Sequence, residues 1–167
     1  MRNEKIAVYK VSAGGFVTRQ KNGQKEVLLV EKSYGALKGK LAFPGGYINH
    51  HEDVESALKR EVYEETAIEI SSQELIGVRF LSESKESSIY FIFLARVKNI
   101  NQEPRVSSES DSVKYYNLKN LNKKKNISSL VKYVLNNFQR GRSLYKTNFS
   151  PKEIKTVKNN YQFYLKK

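Results

Sequence analysis

The sequence predicts an α/β domain in which helices pack on the faces of a mixed β-sheet. Three observations lead to this prediction. The chain has 167 residues, enough for one domain with a sizeable core, and 39% of them are hydrophobic while 28% are charged. Short apolar segments bounded by turn residues recur along the chain, as they do in strands. Longer segments are built from helix formers or repeat apolar residues at the helical spacing.

The first two strands are predicted to form an antiparallel hairpin. Residues 6–18 and 27–30 are rich in apolar side chains, and Asn22-Gly23 between them is a strong signal for a two-residue turn. Residues 33–46 contain four glycines and a proline, a composition too broken for a helix or a strand. This stretch is therefore predicted to be a loop.

The middle of the chain is predicted to be one helix followed by two strands. Strong helix formers dominate residues 53–66. Residues 75–82 and 88–97 are strand candidates, and the second contains the unbroken apolar and aromatic run Ile89-Tyr90-Phe91-Ile92-Phe93-Leu94. A run of this kind is typical of a strand that is buried on both faces.

The last third is predicted to hold a loop over residues 99–112, a strand over 113–118 and a helix over 127–138. The sequence Ser150-Pro151-Lys152-Glu153 then has the form of a capping box with proline at the first helical position. An apolar stripe follows at the helical spacing: Ile154, Val157, Tyr161 and Leu165. We therefore expect a further helix over residues 150–165.

Composition excludes several kinds of site and location. The chain has no Cys, which excludes disulfides, thiolate metal sites and cysteine nucleophiles. Because His50 and His51 are the two histidines, a metal site would be built on oxygen ligands, which suit Mg²⁺, Mn²⁺ or Ca²⁺. The sequence has no apolar run of the ~18 residues that would cross a bilayer. Residues 1–10 also lack the apolar stretch of a signal peptide, so we expect a cytoplasmic protein that does not associate with membranes.

The net charge of +13 is concentrated in one region. Residues 112–167 hold 14 of the 30 basic residues but one of the 17 acidic residues, so the whole excess lies there. Such a region favours polyanionic partners, including RNA. A compositional bias explains the same charge equally well, because Lys accounts for 22 of the 30 basic residues.

Three glutamates on the predicted helix over 53–66 occupy positions that destabilise it. At 100° per residue, Glu61, Glu64 and Glu65 lie on or beside the apolar face of that helix. Like charges at these spacings repel one another, and the helix dipole opposes negative charge in the last turn. A bound divalent cation is the economical compensation, whereas the structural alternative is that these acids are solvated or paired with lysine.

The residues from Gly46 to Ile68 resemble the sequence motif of the Nudix, or MutT-like, hydrolases. That motif reads G-x5-E-x7-R-E-U-x-E-E-x-G-U, where U is aliphatic. The fixed positions that match are Gly46, Glu52, Arg60, Glu61, Val62, Glu64, Glu65 and Ile68. Ala67 stands where the motif has its second glycine. The segment Phe43-Pro44-Gly45-Gly46 is also similar to the loop that precedes this motif in the family.

The resemblance implies a fold, a metal and a division of the chain. It implies an α/β/α sandwich with a mixed sheet over residues 1–138. The tail over 139–167 is not part of the family pattern, and we expect it to form a basic, helical extension packed on that domain. The Gly46 carbonyl, Glu61, Glu64 and Glu65 would bind Mg²⁺, with Mn²⁺ as the alternative. Arg60 would orient the glutamates, and Glu52 would support the loop and the metal.

The resemblance also implies hydrolysis of a nucleoside diphosphate linked to another group. A carboxylate must accept a proton from the attacking water. Glu61 and Glu65 are candidates for this base within the motif, and Glu103, Glu109 and Asp111 are candidates in the predicted loop. Glu109 is favoured, because the family often has an acid shortly before its late strand.

Substrate contacts are expected from the loop before the motif. Tyr34 and Phe43 could stack on a base, and Lys38 and Lys40 could meet phosphates. A (d)NTP cleaved to NMP and pyrophosphate is the default substrate, and a nucleotide sugar or a triphosphorylated RNA 5′ end is the alternative. A nucleotide-sensing regulator and an inactive interaction module are alternatives from other classes. The sequence leaves open whether the chain forms a homodimer.

Overall fold

The computed structural model describes residues 8–82, 87–108, 110–138, 144–147 and 161–166. The strands in these ranges are β1 (Lys10–Lys21), β2 (Gln24–Lys32), β3 (Leu41–Ala42), β4 (Gly45–Tyr47), β5 (Ile70–Leu81), β6 (Ser88–Val97), β7 (Ser110–Asn117), β8 (Leu144–Thr147) and β9 (Tyr161–Lys166). The helices are α1 (Val54–Thr66), α2 (Leu118–Leu121) and α3 (Ser129–Asn137), and a 3₁₀ turn covers Gly35–Leu37.

The described strands form one mixed sheet in the order β3-β2-β1-β6-β5-β9-β8, with β4 paired to β1 and β7 paired to β2. The pairing of β1 with β6 is parallel, whereas the other pairings are antiparallel. The predicted hairpin is present, with Lys21 opposite Gln24. Asn22 (φ 50°) and Gly23 (φ 71°) both adopt the left-handed conformation that a two-residue hairpin turn of this kind requires.

Two apolar layers enclose the sheet, one on each face. On one face, Ala57, Leu58 and Val62 of α1 are fully buried against β1, β2 and β6. On the other face, Val131 and Val134 of α3 pack with apolar residues of the same strands. Because β6 is central, its run is buried from both sides, with Ile92 in the α3 layer and Phe93 in the α1 layer. The predicted helix–sheet–helix arrangement is therefore confirmed.

The strands β1 and β2 separate on leaving their hairpin. Their register is continuous between Thr18 opposite Val27 and Lys21 opposite Gln24. Farther along, β4 pairs with β1, and the segment 43–46 fills the space between the two strands. The Gly15 N–H donates to the Pro44 carbonyl at 2.9 Å, and Gly45 has φ 152°, where a Cβ would overlap the Ala13 carbonyl. This opening in the sheet positions the candidate site.

The structure corrects the sequence prediction at the C-terminal end. Residues 161–166 form β9, which pairs antiparallel with β5 from Leu81 opposite Tyr161 to Gly77 opposite Leu165. A helix reaching Leu165 is therefore wrong. The reason is that Phe163 and Leu165, two residues apart, are both fully buried in the α3 layer, which is strand spacing. Residues 150–160, which carry the predicted capping box, lie outside the described residues.

Smaller differences concern element bounds. The predicted loop over 33–46 contains the short strands β3 and β4, and β5 begins at Ile70 rather than at residue 75. The late strand begins at Ser110 and gives way to α2 at Leu118. The described helices include none that is both long and apolar enough to cross a membrane.

Candidate active site

A cavity of about 800 Å³ lies where β1 and β2 separate. Four fixed positions of the sequence motif line it: Gly46, Glu61, Glu64 and Glu65. The cavity therefore brings the end of α1 together with the strand that starts at Gly45. Its volume lies within the ~300–1,000 Å³ that is common for small-molecule sites.

Both ends of helix α1 are well defined, which fixes the position of its carboxylates at this opening. Asp53 caps the N-terminus, accepting from the N–H groups of Glu55 and Ser56 at 2.9 Å each. At the C-terminus Ala67 takes the left-handed conformation (φ 58°, ψ 20°), and its N–H donates to the Tyr63 carbonyl at 2.7 Å. The structure thus keeps the helix end that favours glycine, at a cost of about 1 kcal/mol for alanine. A hydrogen bond of 2.6 Å from the Gln102 amide to the Ala67 carbonyl holds that end in place.

Arg60 connects the carboxylates of the motif. It binds Glu52 in bidentate fashion, through Nε at 2.9 Å and Nη2 at 2.8 Å. Nη1 donates to Glu61 at 2.8 Å and to Glu64 at 3.0 Å, and Nη2 also donates to the Tyr47 carbonyl at 2.8 Å. All five guanidinium N–H donors are thereby used, which fixes the orientation of three carboxylates and of β4.

Glu61 lies in an environment that disfavours its charge. Its side chain is 13% exposed, and burial raises the pKa of its carboxyl, with Glu65 and Glu64 adding to the effect and Arg60 opposing it. Gly46 lies directly against this carboxylate, and a Cβ at Gly46 would overlap it. The motif glycine therefore lets the backbone of β4 approach the Glu61 oxygens.

Glu65 is the most deeply buried of the three glutamates, at 3% exposure. Its Oε2 accepts from the Gly45 N–H at 2.9 Å, and its Oε1 forms an ion pair with the ammonium group of Lys32. Glu64, by contrast, has a side chain that is 57% exposed. The buried carboxylate thus ties α1 to β4 and to the end of β2.

The comparison with known families decides the identity of this arrangement. The model of the NUDIX domain matches residues 8–138. The chain belongs to the NUDIX domain family.

Curated Nudix relatives match this chain over part of their own length. Nudix hydrolase 8 of Arabidopsis thaliana is 36% identical over 94 residues, 54% of this chain and 25% of the plant protein. The ADP-ribose pyrophosphatase of Methanocaldococcus jannaschii is 28% identical over 99 residues, 59% of this chain and 58% of the archaeal protein. The chain therefore spans between a quarter and three fifths of the length of these two relatives.

Solved structures confirm the fold. The NUDIX domain of Shewanella oneidensis NrtR, determined as a cocrystal with ADP ribose, superposes with a TM-score of 0.66. The alignment covers 80% of this chain and 89% of that domain at 19% sequence identity. At this identity the likeness establishes the α/β/α Nudix fold and nothing about substrate.

The Nudix motif of this chain offers the right donors for a divalent cation. Glutamate and backbone carbonyl oxygens are the ligands that Mg²⁺ and Mn²⁺ take, and Glu61, Glu64, Glu65 and Gly46 all line the cavity. Among the described residues, no three acidic or histidine side chains already form a metal cluster. Instead, the Arg60 and Lys32 side chains supply the positive charge. The site fits a cation that would replace the Lys32 ammonium at Glu65.

The candidate bases outside the motif are Glu103, Glu109 and Asp111, and neither of the two that the structure describes is seen to line the cavity. Glu103 is held by Arg19 at 3.1 Å and Lys21 at 2.8 Å, and those two bonds lower the pKa of its carboxyl. Neither Glu103 nor Asp111 lines the cavity, whereas Ser107 and Ser108 do. Glu109 lies outside the described residues, so its role as base stays a prediction.

The predicted substrate contacts fall into two groups. Tyr34 lines the cavity and is 60% exposed, so it is available to a ligand. Phe43 also lines it but is 3% exposed and packs against Phe16, with ring centroids 5.6 Å apart. Lys38 and Lys40 are absent from the cavity lining, so their contact with phosphate stays a prediction.

Several cavity residues were not singled out from the sequence as site residues, among them Ser12, Lys32, Tyr47, Arg79 and Tyr90. A signal exists for Lys32, because Leu28 and Val30 are buried beneath α1 and a period of two puts Lys32 on the same face. The others come together through strand pairing that is distant in sequence.

Proposed function

We propose that this Nudix domain is a Mg²⁺-dependent hydrolase that cleaves the pyrophosphate bond of a nucleoside diphosphate derivative. One observation carries the proposal: Glu61, Glu64, Glu65 and Gly46 line a single cavity beside an arginine that orients two of these glutamates. A (d)NTP, giving NMP and pyrophosphate, is the first substrate to test. Mn²⁺ is the alternative metal, and a cytoplasmic location remains our expectation.

The residues of this chain have distinct parts in such a reaction. When bound, Mg²⁺ would neutralise phosphate oxygens and make a coordinated water more acidic. Arg60 would keep Glu52, Glu61 and Glu64 in fixed orientations, so that the carboxylates do not have to reorganise during the reaction. The oxygen of water attacks phosphorus, the anhydride P–O bond breaks, and a carboxylate takes the proton of the water.

Two positions for that carboxylate are proposed. Within the motif, Glu61 and Glu65 are the candidates, because both carboxylates line the cavity. Glu109 is the candidate beyond the motif. If Glu109 is the base, Glu109→Gln should lower kcat by about 10²–10⁴-fold with unchanged metal affinity. If Glu109→Gln turns over like the wild type, the base lies within the motif.

Two other substrates have an observation in their favour. A nucleotide sugar is favoured because a relative that is 28% identical carries the name ADP-ribose pyrophosphatase. A triphosphorylated RNA end is favoured by the basic residues of 112–167. A cavity of about 800 Å³ has room for a nucleotide with a second group attached.

A substrate panel tests the proposal directly. The full chain is incubated with dNTPs, NTPs, ADP-ribose, a UDP-sugar or a triphosphorylated RNA, with Mg²⁺ or with excess chelator, and products are identified by ³¹P NMR. We expect release of NMP and pyrophosphate from a (d)NTP, with no product in chelator. Chelator-resistant turnover would contradict the metal assignment. Tight binding of a nucleotide without turnover would instead support the regulator alternative.

For RNA, the salt dependence of the binding affinity distinguishes a surface that binds the phosphate backbone from a basic composition without that function. A protein that neutralises several phosphates should lose affinity by orders of magnitude between about 50 and 200 mM salt. Reversing Lys123, Lys124 and Lys125 to Glu should then weaken RNA binding while leaving hydrolysis of free nucleotides unchanged. Salt-insensitive binding would remove the RNA alternative.

A further inference from the structure

Three polar side chains form a row across the centre of the sheet. Ser12 of β1 lies opposite Tyr90 of β6, and Tyr90 lies opposite Arg79 of β5. Residues directly opposite one another on neighbouring strands project from the same face of the sheet. All three line the candidate active-site cavity. The row therefore contributes a polar strip to the lining of that cavity.

Packing gives this row a defined shape. A Cβ at Gly14 would overlap the Tyr90 hydroxyl, so the phenol lies over the glycine backbone of β1. The guanidinium of Arg79 is 5.6 Å from the centre of the Tyr90 ring, and its Nη1 donates to the Ser88 hydroxyl at 2.7 Å. Ser12 is 8% exposed. The arginine is thus held by contacts from the strand beside it.

The cavity holds charges of both signs. Glu61, Glu64 and Glu65 come from α1, whereas Arg79 and Lys32, which is paired with Glu65, come from the sheet. Burial raises the pKa of the Tyr90 phenol, and the charges of Glu65 and Glu61 raise it further while Arg79 lowers it. Tyr90 therefore stays protonated at neutral pH and can donate a hydrogen bond. A guanidinium and two hydroxyl groups together make a donor set that suits a phosphoryl group.

We propose that Ser12, Tyr90 and Arg79 form a subsite for the phosphoryl groups that leave as pyrophosphate. The inference rests on the proposed hydrolase function and names the part of the substrate that the row binds. A phosphate chain lying between the carboxylate side and Arg79 would have its cleaved bond near α1 and its terminal phosphates at the row. Such a subsite favours substrates that release pyrophosphate, which is multiply charged, over those whose leaving group ends in a neutral sugar.

Direct binding of inorganic pyrophosphate tests the subsite independently of turnover. Affinity is measured by titration calorimetry on the full chain in chelator, for the wild type, Arg79→Met and Tyr90→Phe. We expect binding to weaken about 10–100-fold in Arg79→Met, because a hydrogen-bonded charge pair is lost. The loss should be smaller in Tyr90→Phe, which removes one hydroxyl, and Arg79→Lys should recover part of the affinity because it keeps the charge.

Arg96→Met is the matched control. Arg96 is a guanidinium on the same strand as Tyr90 but is exposed and outside this cavity, so its removal should leave pyrophosphate binding unchanged. Equal affinity in the wild type and Arg79→Met, with both folded by circular dichroism, would overturn the subsite. So would an equal loss in Arg96→Met. Because the measurement needs no catalysis, it can fail while the substrate panel succeeds, and the reverse also holds.

Discussion

Arg60 and Arg19 are both enclosed by carboxylates, but the two clusters differ in charge balance. Arg19 on β1 is 7% exposed and binds Glu26 at 2.7 Å and Glu103 at 3.1 Å, with Lys21 adding a second cation at Glu103. Its guanidinium also lies 3.4 Å from the centre of the Tyr115 ring. Two cations thus face two anions, and the cluster is electrically complete.

The Arg60 cluster has an excess of negative charge. The Arg60 guanidinium forms ion pairs with Glu52, Glu61 and Glu64, and the neighbouring Glu65 is paired with Lys32. Four carboxylates share two cations, so the cluster can accept additional positive charge. The contrast indicates that a buried arginine network alone does not mark a site, whereas an unbalanced one that borders a cavity does.

The largest expected effect is the loss of turnover in Glu61→Gln. The amide is a poor metal ligand and no base, so kcat should fall by about 10²–10⁴-fold. The melting temperature without metal should stay equal or rise, because burial and the neighbouring glutamates disfavour the charge that the substitution removes. Phosphate-release kinetics and calorimetry measure the two quantities. Full activity in Glu61→Gln would remove the distinction between the clusters.

Arg19→Met should show the reverse pattern. The substitution leaves Glu26, whose side chain is 20% exposed, without its partner. Breaking such a partly buried pair should lower the free energy of unfolding by about 3 kcal/mol. Since the Arg19 cluster is remote from the cavity, kcat of the folded fraction should not change. Urea denaturation followed by tyrosine fluorescence gives the stability, and a large drop in kcat would show that the two clusters are coupled.

Lys32→Met removes one of the two cations of the Arg60 cluster and tests the part of Lys32 separately from that of Arg60. It leaves the carboxylate of Glu65 buried and unpaired, so the melting temperature without metal should fall by about 4–8 °C, which corresponds to about 2 kcal/mol. Mg²⁺ should then raise the melting temperature more than it does in the wild type, because no ammonium has to be displaced. Lys40→Met, near the cavity but not lining it, is the control. An equal metal response in wild type and Lys32→Met would mean that Lys32 does not compete with the cation.

The smallest effect is expected from pH acting on the Arg19 cluster. Bonds from Lys21 and Arg19 lower the pKa of Glu103 below its ordinary value of 4.5. The charged carboxyl therefore stabilises the fold above pH 4.5, and this contribution is lost as the pH falls through the lowered pKa. Glu103→Gln should reduce the acid sensitivity of unfolding slightly, since the side chain is 60% exposed. Identical pH profiles for the two proteins would assign no stability to the ion pair.

Local patterns predicted the parts of the fold that are decided locally. The Asn22-Gly23 turn, the limits of β6 and the apolar face of α1 follow from turn chemistry and periodicity. Strand β9 was missed because Tyr161 and Leu165 lie four residues apart and therefore also fit a helical stripe. Its pairing with β5 and β8, which buries Phe163 and Leu165 two residues apart, favours the extended form.

The candidate site likewise contains residues that the sequence reveals and residues that it does not. Glu61, Glu64 and Glu65 lie on one helix, so their spacing in the sequence reveals them. Arg79, Tyr90 and Ser12 lie on three strands, and only the register of β5, β6 and β1 brings them together. Glu103 was a reasonable candidate for the base, but Arg19 and Lys21 hold it at the other end of β1.

The pairing of β9 with β5 bears on how fast this chain folds. Lys166 and Glu74, joined by an ion pair of 2.7 Å across these strands, are 92 positions apart in the chain. Closing so long a loop costs entropy before any contact is gained, and topologies rich in such contacts fold slowly. Without β9, that edge of β5 would be unpaired and the apolar layer would lack Phe163 and Leu165. Substitutions that weaken this pairing should therefore lower the refolding yield, because an open strand edge favours aggregation.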